Sequence, residues 1–128
     1  MSYFGASVNE QPVISEKVGA VIENGSGKAV KLNADGNVIL ADTEGEAIYG
    51  VLIMQTPEQV PAGDDVTVQF KDIGMVCAGG SIVKGDALMV NAEGKFIKAT
   101  GANAVARALE AGEADEFIRA HICIVPVV

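Results

Sequence analysis

Hydrophobic positions along this chain recur at every second residue in short runs that end at glycine, asparagine or acidic residues. In Asp65-Val66-Thr67-Val68-Gln69-Phe70, the residues Val66, Val68 and Phe70 fall on one face and Thr67 and Gln69 on the other, which is the signature of a half-buried strand. The same alternation returns in Glu116 to Ile122, and further strand patterns run through Val18 to Ile22 and Gly74 to Cys77. Both of the longer patterns follow a glycine-and-acid turn, around Ala62-Gly63-Asp64 and Ala111-Gly112-Glu113. Counted together, about ten short strands are expected, enough for a compact antiparallel β-barrel or a sandwich. The fold class is all-β.

The pattern also repeats itself. Gly27-Lys28-Ala29-Val30-Lys31-Leu32-Asn33-Ala34-Asp35-Gly36-Asn37-Val38-Ile39-Leu40-Ala41 matches Gly85-Asp86-Ala87-Leu88-Met89-Val90-Asn91-Ala92-Glu93-Gly94-Lys95-Phe96-Ile97-Lys98-Ala99, a spacing of about 58 residues. Each copy is a hairpin turning at Asn-Ala-Asp/Glu-Gly. Gly36 and Gly94 supply the positive φ of a tight reversal, and Asn33 and Asn91 can bond the backbone two residues on. After a one-residue slip the match continues as Glu46-Ala47-Ile48-Tyr49-Gly50-Val51-Leu52 against Asn103-Ala104-Val105-Ala106-Arg107-Ala108-Leu109. Alone, Ala102 to Glu116 has the alanine, leucine and glutamate content of a helix. Its counterpart carries Ile48, Tyr49, Val51 and Ile53, so a strand is expected over Ala104 to Leu109. The duplicated units span about residues 27–70 and 85–122.

Residues 1–16 differ in character. Tyr3, Phe4, Val8, Pro12, Val13 and Ile14 are mixed with polar residues without a strict period, which reads as an extended N-terminal arm ahead of a single β domain over residues 17–128. A frayed terminus is the alternative; an extended segment with these side chains is suited to lie across a neighbouring subunit. The loop Gln55 to Pro61, stiffened by Pro57 and Pro61, is a second candidate contact.

Composition narrows the partners. The 128 residues are 49% hydrophobic and 20% charged, too apolar for intrinsic disorder, and one core is expected. The formal charge of −8 sets the chain against phosphate backbones and anionic lipid, so neither nucleic acid nor membrane is expected as a partner. No apolar run approaches the ~20 residues of a membrane span, and the start Met1-Ser2-Tyr3-Phe4-Gly5 lacks the basic and apolar regions of a signal peptide, so synthesis in the cytoplasm is expected.

Chemistry is thin. Cys77 and Cys123, each flanked by apolar residues, read as buried free thiols. His121, the one histidine, lies in an alternating strand and reads as structural; no Gly-x-Ser-x-Gly elbow accompanies it. One histidine and two distant cysteines give no zinc ligand pair, and the carboxylates at Glu44, Glu46, Asp64, Asp65, Glu113, Asp115 and Glu116 lack the order of a calcium loop. Gly25-Ser26-Gly27-Lys28 keeps only the Gly-Lys core of a phosphate loop. Neither cofactor, metal nor catalytic residue is expected, and the chain reads as a structural binding protein rather than an enzyme. Val83-Lys84-Gly85-Asp86-Ala87-Leu88 with Glu93-Gly94-Lys95 is similar to the hairpin of biotinyl and lipoyl carrier domains. That alternative would make Lys95 the modified residue, but the first copy has Asn37 in its place.

Taken in order, Glu46 to Leu52, Ala62 to Val68, Gly74-Met75-Val76, Lys84 to Val90 and the Gly94-Lys95 turn resemble the capsid cement or decoration proteins of tailed bacteriophages, over about Val18 to Val125. Arg107, set against Gly50 by the slip, departs from that pattern. The resemblance implies a virion protein that binds the major capsid protein on the outer surface of the icosahedral head and stabilises it. It also implies a homo-oligomer: a trimer suits the local three-fold sites of a capsid, and a dimer is the alternative. A β-rich part of a tail or fibre is a further reading.

Overall fold

The computed structural model describes residues 11–101 and 103–124. Its strands are β1 (Val13–Lys17), β2 (Ile22–Glu23), β3 (Ala29–Leu32), β4 (Val38–Leu40), β5 (Gly50–Leu52), β6 (Gln59–Val60), β7 (Asp65–Gln69), β8 (Lys71–Cys77), β9 (Ala87–Val90), β10 (Phe96–Lys98), β11 (Ala106–Ala108) and β12 (Phe117–Cys123). No helix occurs among the described residues. The helix-like composition after Ala102 yields to strand β11, as the duplication required.

The strands form two five-stranded antiparallel sheets and a two-stranded ribbon, β2 with β6. The edge strands of each sheet meet only at a single bridge and not along a ladder, so the sandwich alternative holds and the closed barrel does not. Sheet one runs β1-β7-β5-β3-β4, and sheet two, read from its other end, runs β8-β12-β11-β9-β10. The order is the same strand for strand. The match extends to isolated bridges: Val18 pairs with Val38 as Ala78 pairs with Phe96, and the Ile22–Val60 pair has its counterpart in Ile82–Gly112. The duplication therefore starts upstream of Gly27, with β1 and β8 as counterparts.

Two sequence expectations shift. Strand pairing begins at Val13, not Val18; the chain bends at Gly19 and Ala20, and Val13 to Glu16, expected in the arm, pair with Val66 to Gln69. The slip in the second match was also one residue short. Tyr49 N donates to Val30 O and Val105 N to Leu88 O, while Gly50 faces Val30 as Ala106 faces Leu88. Gly50 thus corresponds to Ala106, and Arg107 to Val51. Packing explains why the residue types differ. A Cβ on Gly50 would come within 2.3 Å of Val68 Cγ1, whereas the position equivalent to Val68 is Ala120, which leaves room for Ala106.

The turns behave as their residues dictate. Asn33 Oδ1 accepts the amides of Asp35 and Asn37, both at 3.0 Å, and Asn91 Oδ1 accepts those of Glu93 (2.9 Å) and Lys95 (3.0 Å). Gly36 and Gly94 follow with φ of 80° and 76°. These local bonds fix the reversal and with it the hairpin register.

Instead of one core there are two apolar clusters. Val18, Ile22, Val30, Val38, Leu52, Val60, Val66 and Val68 fill the space between sheet one and the β2–β6 ribbon. Ala29, Ala41, Ile48 and Val51 join the residues of sheet two in the other. Strands β3 and β5 are therefore buried on both faces, Val30 and Leu52 toward one cluster and Ala29 and Val51 toward the next.

Candidate functional site

Among the described residues the concavities are open to solvent. Strand β7 passes into β8 through Phe70, and Asp72 sits at a φ of 66°, a conformation costly for a residue with a Cβ. The Gln69 side-chain amide secures this crossover by donating to the carbonyls of Lys71 (2.9 Å) and Ile73 (3.0 Å). A shallow apolar concavity lies on each side of it. One is lined by Ile14, Tyr49, Phe70 and Ile124, the other by Asp72, Ile73, Leu109 and His121. Ile73 is 61% exposed, a large apolar side chain left to water.

In the first concavity Tyr49 donates its hydroxyl to Glu16 Oε2. That bond and partial burial push the phenol up to about 12, because the carboxylate beside it opposes the phenolate. The pair joins β1 to the start of β5 and orients the tyrosine ring.

The expected contact residues divide. Tyr3, Phe4 and Val8 lie outside the described residues. Pro12 is half-buried, its carbonyl accepting the Phe70 amide at 3.0 Å. Val13 and Ile14 belong to β1, and of these two Ile14 lines the groove. Pro57 and Pro61 are exposed on either side of β6. They lie toward the opposite end of β1, where Gly63 N bonds Val18 O. Ile14 is thus grouped with residues that had not been singled out: Tyr49, Phe70 and Ile124. The sequence signal for Phe70 to Ile73 was available, since this segment is the connector between two repeats.

Cysteine and histidine fare unevenly. Cys77 is buried, and desolvation pushes its thiol up, as expected of a small core hydrophobe. Cys123 is exposed, contrary to expectation, on the outward side of β12 with its Sγ 3.2 Å from His121 Nδ1. Alternation in β12 buries Ile118, Ala120 and Ile122 and turns Phe117, Arg119, His121 and Cys123 outward. Among the described residues no three His, Cys, Asp or Glu side chains converge as a metal site would need.

The turn carboxylates are occupied with structure. Glu46 Oε2 accepts the amides of Asp42 and Thr43 while Oε1 meets Lys31 Nζ at 3.0 Å, and Glu116 Oε1 accepts the Glu113 amide. The hydrogen bonds that Lys31 donates to Asp42 and Glu46 raise its pKa, and the bond from the same lysine lowers that of Asp42. Lys95, the residue a carrier domain would modify, is held 2.6 Å from Asp115 with 19% of its side chain exposed. It is not presented at the tip of its hairpin.

Among the described residues, two shallow apolar concavities flank the crossover of an all-β body, a surface suited to contact with another protein. The structural cement protein family represented by E217 gp24 and Pam3 gp6 matches residues 4–122, and this chain belongs to that phage family. A search of curated proteins finds no match. Among solved structures the chain is similar to the head fibre gp8.5 N base of bacteriophage phi29, with a TM-score of 0.66 and 15% identity. That likeness covers 90% of this chain and 98% of the other, and it shows a shared fold.

Proposed function

We propose that this cement protein seats on the outer surface of the phage head, binding the major capsid protein as a homo-oligomer and stabilising the shell without catalysis. The observation that carries the reading is the family match over residues 4–122. The shallow apolar grooves beside the crossover, with Ile73 exposed on β8, give the chain surfaces for such binding. A lattice protein needs only modest contacts, because many copies engage one rigid particle and avidity multiplies them. Acidic charge suits an outer surface, where it limits association between particles. Synthesis in the host cytoplasm followed by assembly onto the head completes the proposal.

A tail or fibre position is the competing reading, and the chain shares its fold with the phi29 head fibre base. At 15% identity that likeness speaks for fold alone. The carrier reading is disfavoured by the ion pair that holds Lys95. Co-sedimentation with purified, expanded heads tests the proposal: the protein is expected to saturate the heads and to raise their melting temperature. Failure at saturating concentration to do either would overturn it, and binding confined to tails would establish the competing reading.

A further inference from the structure

The two halves of the molecule meet through unlike surfaces. The Ala29 amide donates to Gly94 O and the Cys77 amide to Gly27 O, both at 2.8 Å. A Cβ on Gly94 would lie 3.2 Å from Ala29 O and 3.3 Å from Ala41 O; one on Gly27 would lie 2.9 Å from Cys77 N. Val51 of the first half and Val90 of the second are buried in the shared cluster.

Because the halves repeat, each of these surfaces exists twice, and the internal junction uses one copy of each. The second half keeps Gly85, Ala87 and Ala99 where the first has Gly27, Ala29 and Ala41; the Ala99 amide bonds Ala87 O just as Ala41 bonds Ala29. The first half keeps Lys17, Leu32 and Gly36 where the second has Cys77, Val90 and Gly94. Backbone geometry is retained, with φ of 95° at Gly85 against 73° at Gly27, and 80° at Gly36 against 76° at Gly94. Yet a Cβ on Gly36 or Gly85 would meet nothing within 4 Å, and Leu32 is 42% exposed where Val90 is fully buried.

The two unused surfaces carry mainly opposite charges; the acidic one keeps the acids of its used counterpart, Asp35 for Glu93 and Asp64 for Glu116, and the basic one is new. Around Ala87 stand Lys84, Lys98 and Arg107, exposed and without an ion pair to any described residue, against one acid, Asp86, whose Oδ2 accepts the Val83 amide at 2.9 Å; Arg107 replaces buried Val51 and donates to Gly85 O at 2.9 Å. Around Leu32 and Lys17 stand Asp35, Asp64 and Asp65, all exposed; Asp65, 4.0 Å from Lys17, replaces Phe117. Seating Gly85 on Lys17, as Gly27 sits on Cys77, brings Arg107 to Asp65.

We infer that a second copy of this chain docks head to tail, its Gly85–Ala87 surface on the Leu32–Gly36 surface of its neighbour, repeating the internal junction between molecules. This deepens the homo-oligomer reading of the preceding section and names the contact. A junction of unlike surfaces makes rings or open chains, not an isologous dimer. With Arg107 in place of buried Val51 and Asp65 in place of Phe117, it is weaker than the internal junction and sensitive to salt.

Light scattering after size exclusion, over a range of concentrations, reads the association. Wild type is expected to exceed one chain in mass at low salt. Leu32→Asp and Arg107→Glu, both at exposed positions, should each weaken association about tenfold or more, with circular dichroism unchanged; Lys84→Glu replaces Arg107→Glu should the latter misfold. Each variant spoils one surface and keeps the other. Mixing the two should therefore restore a complex of two chains and no more. A wild type that is monomeric throughout, an oligomer indifferent to both variants, or two monomeric variants that do not combine would each overturn the inference. An oligomer that persists through another contact leaves the cement reading standing, and head co-sedimentation tests that reading separately.

Discussion

Gly36 and Gly94 close the same turn in the two halves, and they isolate how surroundings set the cost of a side chain. Both have positive φ, so alanine at either carries a backbone strain of roughly 1–2 kcal/mol. Gly36 faces open space, whereas a Cβ on Gly94 would press on the carbonyls of Ala29 and Ala41. Gly94→Ala is therefore expected to lose about 1 kcal/mol more than Gly36→Ala in urea unfolding, an increment in the range of an overpacked contact. Equal losses would mean that the halves yield freely at their junction. Tyr49 gives a second test at this scale. Its pKa is raised to about 12 by the Glu16 bond first and burial second. A raised folded-state pKa contributes stability that is full below the unfolded value near 10 and disappears as pH rises through the folded value. Wild type should lose more stability than Tyr49→Phe between about pH 10 and pH 12, followed by thermal melts; parallel profiles would show that the phenol ionises as freely folded as unfolded.

At the level of strands, β8 is the edge of sheet two and runs for seven residues, a length at which an exposed edge invites further pairing. Gln69 answers part of that hazard by placing its amide on the carbonyls of Lys71 and Ile73. Gly74 makes room for it, since a Cβ there would fall 2.4 Å from Gln69 Oε1. Gln69→Glu keeps the shape but turns a donor into a carboxylate facing two carbonyls. It is expected to cost about 1–3 kcal/mol in urea unfolding and to speed amide exchange at Ile73 and Met75. Unchanged exchange would remove the amide from the account of the crossover. Gln69 also marks where sequence reading stopped. Alternation in Val66 to Phe70 and the repeated Asn-Ala-Asp/Glu-Gly turns made strands and hairpins legible, and comparing the copies turned a helix-like stretch into β11. Register was not legible, because Gly50 and Ala106 differ for a reason lying in another strand, Val68 against Ala120. Nor was the division into two clusters, which depends on β3 and β5 packing on both faces. The groove at Ile14 was half visible: its apolar residue could be picked out, but Tyr49, Phe70 and Ile124 join it only through pairing between distant strands.

For the molecule as a whole, the question is which part holds the head. Among the described residues the first strand begins at Val13, and just upstream of it Pro12 O accepts the Phe70 amide. A chain that begins at Gln11 keeps that bond, both clusters and the crossover. If Tyr3, Phe4 and Val8 make contacts on the capsid, removing residues 1–10 should leave the melting temperature within a few degrees of wild type while weakening attachment. Avidity makes equilibrium occupancy a blunt measure, since many copies on one lattice hold even when each contact is poor. Dissociation after dilution is the sharper readout, because changes at one interface act mainly on the off-rate. The shortened chain is expected to leave heads at least about tenfold faster. Unchanged dissociation with an intact fold would move the contact to the body, where the grooves beside Phe70 and Ile73 are the next surfaces to alter. A large drop in melting temperature would instead assign the first ten residues to the stability of the domain.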